Sequence, residues 1–130
     1  MSARPALACL ILAACNGASS PANPDAAPGS DDAATPSVRI LPNCPPAVTA
    51  TVMTSDNVLA YSPETTTISP FNIVKFVMSP AHNVAPDPTQ STDPSLQVDY
   101  GKTVCLEFDK AGTYHFMCTT HHFTGAIVVQ

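Results

Sequence analysis

The chain has 130 residues, with five Lys and Arg against ten Asp and Glu, a formal net charge of −5. That balance excludes the phosphate-neutralising surface of a nucleic-acid binder. The length allows one domain at most, because domains commonly take about 100–150 residues. Tryptophan is absent, so aromatic packing falls to Phe and Tyr.

Met1 to Ala14 carries Arg4 and then an apolar and small run, Ala6 to Ala14. The run is too short to span a bilayer, which takes about 20 apolar residues, and it reads as an export signal. It closes on Leu12-Ala13-Ala14-Cys15, which resembles the lipobox of bacterial lipoproteins, where the cysteine is lipidated and becomes the mature N-terminus. The alternative is a plain secretory leader cut near Ala14 or Ala18. On the first reading the mature protein sits in the bacterial cell envelope, held at Cys15 to a membrane facing the periplasm or the cell surface. Cys9 leaves with the leader. Residues 15–36 are rich in Ala, Pro and Asp with no large apolar side chain. Such a segment cannot bury enough surface to offset its ordering entropy, so it is expected to be a disordered, partly extended tether.

From residue 37 the composition turns to β-branched residues punctuated by Pro, Gly, Asn and Asp. Strands are expected over Val38 to Leu41, Val48 to Met53, Val58 to Tyr61, Thr65 to Ser69, Ile73 to Ser79, Leu96 to Val98, Thr103 to Asp109, Thr113 to Cys118 and Ala126 to Val129. Many short strands without a helical period predict an all-β sandwich with little helix over 37–130. Alternation places Val74, Phe76 and Met78 inward and Lys75 outward; it places Val104, Leu106 and Phe108 inward and Cys105, Glu107 and Asp109 outward. Phe71 and Met53 are also expected in the core. The run Ala85 to Pro94 holds three prolines and is expected to be a loop, since each Pro removes a ladder donor.

The chemistry concentrates in Gly112 to Gly125. Tyr114, Phe116 and Cys118 share the inward face of a half-buried strand, and His121 follows the cysteine by three residues. Upstream, Pro80-Ala81-His82-Asn83-Val84 supplies a second imidazole. His82, Cys118 and His121 together offer two nitrogens and one soft sulfur, a set that suits a mononuclear copper site. A lone His in this setting is usually a satisfied core or loop residue; the three jointly are not. His115 points outward by parity and carries no role. Zinc is disfavoured, since structural zinc sites use four ligands where three are evident, and no acid/base or nucleophile constellation suggests an enzyme.

Pro80-x-His82-Asn83-Val84 lying about thirty-five residues before Gly112-Thr113-Tyr114-x-Phe116-x-Cys118-x-x-His121 resembles the plastocyanin/azurin family of small cupredoxins. The likeness covers roughly Ser37 to Gln130. It implies a Greek-key β-sandwich, one copper ion held by His82, Cys118 and His121, and Asn83 tying the ligand loops together by hydrogen bonding. It implies a one-electron carrier that meets a redox partner protein, as a monomer; a copper-binding or delivery protein without electron transfer is the alternative. The sequence departs from the family after His121, where many members carry a weak axial methionine and none follows Met117 here. The candidates for that position are Phe123, Thr124 and the Ala81 carbonyl, with His122 behind them. Two cysteines, Cys44 and Cys105, then remain. In an exported protein they are expected to form a disulfide, the alternative being two separate thiols.

Overall fold

A computed structural model describes residues 37–90 and 92–130; the leader 1–14, the lipidation site Cys15 and the tether 15–36 lie outside them. Among the described residues there is no helix. Nine strands follow one another: β1 (Val38–Ile40), β2 (Ala50–Ser55), β3 (Val58–Ser62), β4 (Thr65–Ile68), β5 (Asn72–Val77), β6 (Ala85–Pro86), β7 (Thr103–Phe108), β8 (Gly112–Met117) and β9 (Thr124–Val129). One sheet runs β1-β7-β5-β2-β3 and the other β4-β9-β8-β6. Pairing is antiparallel except for β2 with β5 and β4 with β9. This non-consecutive order needs crossovers between sheets, as in Greek-key sandwiches.

Strand parity decides the core. Val52, Val74, Phe76, Leu106 and Phe108 of the first sheet face Tyr114, Phe116, Ile127 and Val129 of the second, and all are buried. Edge-to-face ring pairs join the layers, Phe76 with Phe116 at 5.5 Å and Phe108 with Tyr114 at 5.1 Å. These spacings lie within the range where such pairs add to simple burial. Gly125 sits opposite Phe116 in the β8–β9 register. A Cβ there would meet the Phe116 ring at 2.7 Å, so the missing side chain is what lets this central ring lie flat against the neighbouring strand.

Four expectations change. Leu96 to Val98 is not a strand: Val98 makes a single bridge to Val84, although Leu96 and Val98 are both buried. Ala85–Pro86 is a short strand rather than loop, at the edge of its sheet, where a Pro is tolerated because no further strand needs its donor. Phe71 is 68% exposed. It follows Pro70 in a turn closed by Asn72 N–H to the Ser69 carbonyl, and its positive φ of 68° turns the side chain outward. Met53 is also exposed, because Val52 beside it takes the inward position on β2.

The stretch after β6 is bound down rather than free. Asp93 accepts from the N–H groups of Ser37 and Val38, Thr92 Oγ1 accepts from His115 N–H at 2.9 Å, and Asp87 accepts twice from Thr89. On the same edge strand, next to Val38, Arg39 faces Glu107 across β1 and β7 and forms an ion pair with it, a surface contact of small energetic weight.

Cys44 and Cys105 are joined in a disulfide with 5.2 Å between their Cα atoms. Cys105 points away from the core, as parity requires, yet it is buried because the proline-flanked arm around Cys44 lies over it. The bridge closes a loop of 61 residues and thereby restricts the unfolded chain. The double variant Cys44→Ser/Cys105→Ser should lose about 2–4 kcal/mol of stability, read from urea unfolding under oxidising conditions, with the strand content by circular dichroism unchanged.

Candidate metal centre

Three connections converge at one end of the sandwich: the β2–β3 turn, the segment after β5, and the β8–β9 connection. The segment after β5 is shaped by local bonds. Met78 N–H donates to the Lys102 carbonyl at 2.9 Å, His82 N–H to the Ser79 carbonyl at 3.0 Å, and Ser79 N–H to Thr54 Oγ1 at 2.9 Å. Asp56, in the β2–β3 turn, accepts from Ala81 N–H at 3.1 Å. His82 is thereby pressed into the interior, with no exposed surface. Its Nε2 faces the Ser55 carbonyl at 3.2 Å. A carbonyl only accepts, so Nε2 carries the proton and Nδ1 is left as a lone-pair donor; an imidazole tautomer is commonly set by such a bond on its far nitrogen.

Strand β8 delivers Cys118 as parity predicts, fully buried. Its N–H donates to the Phe123 carbonyl at 3.0 Å, and its own carbonyl accepts from His122 N–H at 2.8 Å. The chain reverses within this short loop, and His122 takes a φ of 61° in doing so. Cys118 Sγ lies 3.8 Å from His82 Nδ1 and 3.7 Å from His121 Nδ1. The three donor atoms fall within 4.8 Å of one another, with His82 and Cys118 buried and His121 exposed.

Phe123 covers the pair of imidazoles. Its ring stands edge-on to His82 at 4.9 Å and near-parallel to His121 at 6.4 Å. Thr124, the other side chain weighed for the axial position, is already in β9 opposite Met117. It is exposed, while Gly125 next to it is buried, so its side chain points away from the buried sulfur. His122 is exposed and stands outside the three-donor cluster. His115 lies in the middle of β8, paired with Ala126.

Asn83 makes the link between the loops. Its Oδ1 accepts from Thr119 N–H at 2.9 Å and lies 3.3 Å from Thr119 Oγ1. Its backbone carbonyl accepts from the Tyr61 hydroxyl at 2.6 Å. Burial, with the Cys118 sulfur nearby, pushes the Tyr61 phenol far above its ordinary pKa, so it stays a donor. Tyr100 bonds to Thr119 Oγ1 at 2.8 Å and to Thr120 Oγ1 at 2.6 Å, bracing the same loop from the solvent side. Sequence reading reached Asn83 but not Ser55, Asp56, Tyr61 or Tyr100 as parts of the site. For none of the four does a local pattern point to the site.

The donor geometry admits a metal ion. With bonds of about 2.3 Å to sulfur and about 2.0–2.1 Å to nitrogen, a sulfur and a nitrogen on one ion lie about 3.5–3.8 Å apart. The two sulfur-to-nitrogen separations are 3.7 and 3.8 Å, and all three donors lie within 4.8 Å of one another. One thiolate with two imidazoles is the donor set of copper sites that cycle between two oxidation states. No fourth His, Cys, Asp or Glu joins the cluster among the described residues, where a structural zinc site would use four ligands.

Comparison with known proteins agrees with this geometry. The family model for copper binding proteins, plastocyanin/azurin family, matches residues 48–130. No curated protein sequence matches the chain. Among solved structures, amicyanin from Paracoccus versutus (Thiobacillus versutus) is similar at 18% identity and a TM-score of 0.57, over 74% of this chain and 100% of that one. An oxidised amicyanin mutant is similar at 20% identity and a TM-score of 0.55, over 72% and 99%. Native pseudoazurin from Hyphomicrobium denitrificans is similar at 19% identity and a TM-score of 0.52, over 62% and 73%. At such identities the likeness is one of fold.

Asn83→Ala should leave the Thr119 N–H without a partner and unhook the two loops. A loss of about 1–3 kcal/mol is expected, measured by thermal or urea unfolding of the metal-free protein.

Proposed function

The chain belongs to the plastocyanin/azurin family of copper-binding proteins, and from this we propose that it is a mononuclear type 1 (blue) copper protein serving as a one-electron carrier in the bacterial cell envelope. The observation that carries the reading is the buried Cys118 Sγ with an imidazole Nδ1 at 3.7 Å and another at 3.8 Å. His82, Cys118 and His121 hold the ion. Copper, when bound, supplies the couple between Cu(I) and Cu(II).

The chain's own residues supply the rest. His82 is locked by the Ser55 carbonyl and Asn83 is locked to Thr119, so the donors are held by a β-scaffold and have little freedom to rearrange when the charge changes. Phe123, half-buried, sets an apolar ring beside both imidazoles. His121 is exposed and brings one edge of the site to the surface, where a redox partner protein meets it. No proton transfer or bond cleavage is asked of any residue in this role, which is that of a carrier and not of an enzyme; the proposal takes the protein as a monomer.

The cellular setting is part of the proposal. Leu12-Ala13-Ala14-Cys15 supports lipidation at Cys15, with the 15–36 segment as a tether to the membrane. The Cys44–Cys105 bridge is in keeping with an oxidising compartment. Palmitate labelling of the full chain in a bacterial host tests the anchor: Cys15→Ser should abolish the label.

The copper-loaded domain should show strong visible absorption from thiolate-to-copper charge transfer, and Cys118→Ser should abolish it, because a hydroxyl is a poor donor to copper. A Cys118→Ser protein that stays intensely blue would end the assignment. Copper held against a mild chelator is expected of a carrier; rapid loss would favour a delivery role.

His121→Ala and His122→Ala should behave differently. The first removes a donor and should change the spectrum grossly. The second, an exposed residue outside the cluster, should leave the blue band in place. Equal damage from both in titration with copper would make His122 a ligand.

A further inference from the structure

Tyr61 lies on β3, 3% exposed, and its side chain reaches all three segments that carry the metal donors. Its hydroxyl donates to the carbonyl of Asn83 at 2.6 Å, one residue after His82. Its ring stands edge-to-face with Phe116 at 4.7 Å, two residues before Cys118. On the other side it stands edge-to-face with Phe123 at 4.7 Å, two residues after His121, and Phe123 in turn packs on both imidazoles. We infer that Tyr61 is a positioning residue for the metal centre: this one side chain sets the spacing among the segments that bear His82, Cys118 and His121. The inference rests on the copper-carrier reading above.

The physical argument starts from burial. The Asn83 backbone carbonyl is enclosed, and it accepts the phenol proton in an interior from which water is excluded; without that donor it is a buried acceptor with a strong incentive to reorient. That carbonyl belongs to the peptide joining Asn83 to Val84, whose N–H is held by the Val98 carbonyl at 2.9 Å, so the unpaired end would shift on the His82 side, and the same residue's side chain holds Thr119 N–H. Loss of the hydroxyl therefore loosens both loops at once. Tyr114 is a natural contrast. It too is buried and donates its hydroxyl to a backbone carbonyl, that of Lys110 at 2.8 Å, but its ring packs on Phe108 and its hydroxyl reaches the β7–β8 turn, at the other end of β8 from Cys118, so it links no two donor-bearing segments. The two phenols thus do similar work for stability and different work for the site.

Tyr61→Phe and Tyr114→Phe separate these roles, because each removes one buried hydroxyl and keeps the ring. Amide hydrogen exchange at Thr119 is measured on the metal-free proteins; copper release to a chelator and reduction potential are measured on the loaded ones. Tyr61→Phe should speed both Thr119 exchange and copper release roughly five- to tenfold. It should also lower the potential, since a looser frame lets the divalent ion approach the tetragonal geometry it prefers. Tyr114→Phe should change none of these while losing comparable stability. If Tyr61→Phe matches Tyr114→Phe in all three readouts, Tyr61 is a core residue only and the inference is overturned. If the wild-type protein binds copper without a charge-transfer band, it is the functional reading that fails; Thr119 exchange in the metal-free protein then still decides whether Tyr61 holds the loops.

Discussion

The side-chain carbonyl of Asn83 accepts from the backbone N–H of Thr119, and through that bond the segment bearing His82 and the loop bearing Cys118 and His121 behave as one piece. The two partners are 36 residues apart in the chain and belong to connections that leave different sheets. Without the bond, each loop would still be anchored to its own strand, but the distance from sulfur to the first imidazole would be set only by packing. The acceptor is itself held, because the Asn83 carbonyl is occupied by Tyr61 and His82 by Ser55. A bond in such a partly buried network is worth more to geometry than to net stability, since each member left alone would be costly.

The rest of the sandwich makes that bond possible. Phe76, Phe108 and Phe116 fill the space between the sheets, and the approach of β8 to β9 depends on Gly125 offering no side chain to the Phe116 ring. Any shift of Phe116 would travel two residues along the strand to Cys118. The disulfide lies at the outer face of the larger sheet, on β7, and acts chiefly through the unfolded chain. Scaffold and site are therefore stabilised by different means: the scaffold by apolar burial and one covalent closure, the site by a few hydrogen bonds that cross between loops.

The asymmetry of the two imidazoles bears directly on function. His82 is enclosed, whereas His121 is exposed. A carrier needs both properties: donors that do not rearrange, and one edge near enough to the surface for an electron to pass without opening the protein. Phe123 takes part in both, since it contacts the two imidazoles and Tyr61. Thr124, which follows it, has already joined β9; the shortness of the connection draws the chain back into the sheet before a side chain at that position can turn toward the sulfur.

By itself the sequence determined the β class and the inward parity of Phe76, Leu106, Phe116 and Cys118, each written locally as an alternation. The three candidate donors were legible as residue types at a spacing, the Asn83 link only through the family resemblance, and the pairing of Cys44 with Cys105 as an expectation from how many cysteines remain, which the structure then joined. What only the tertiary structure decided is everything that depends on two distant segments meeting. Ser55, Asp56 and Tyr61 belong to the site because the β2–β3 hairpin folds against the His82 loop, contacts separated by 22 to 27 residues that no periodicity records. The exposure of Phe71 came from a turn whose positive φ overrides the usual burial of an aromatic ring, and the burial of Cys105 from an arm laid across an outward face. Hydrophobic pattern fixes which side of a strand faces in; only the packing of one connection on another fixes what each side chain meets there.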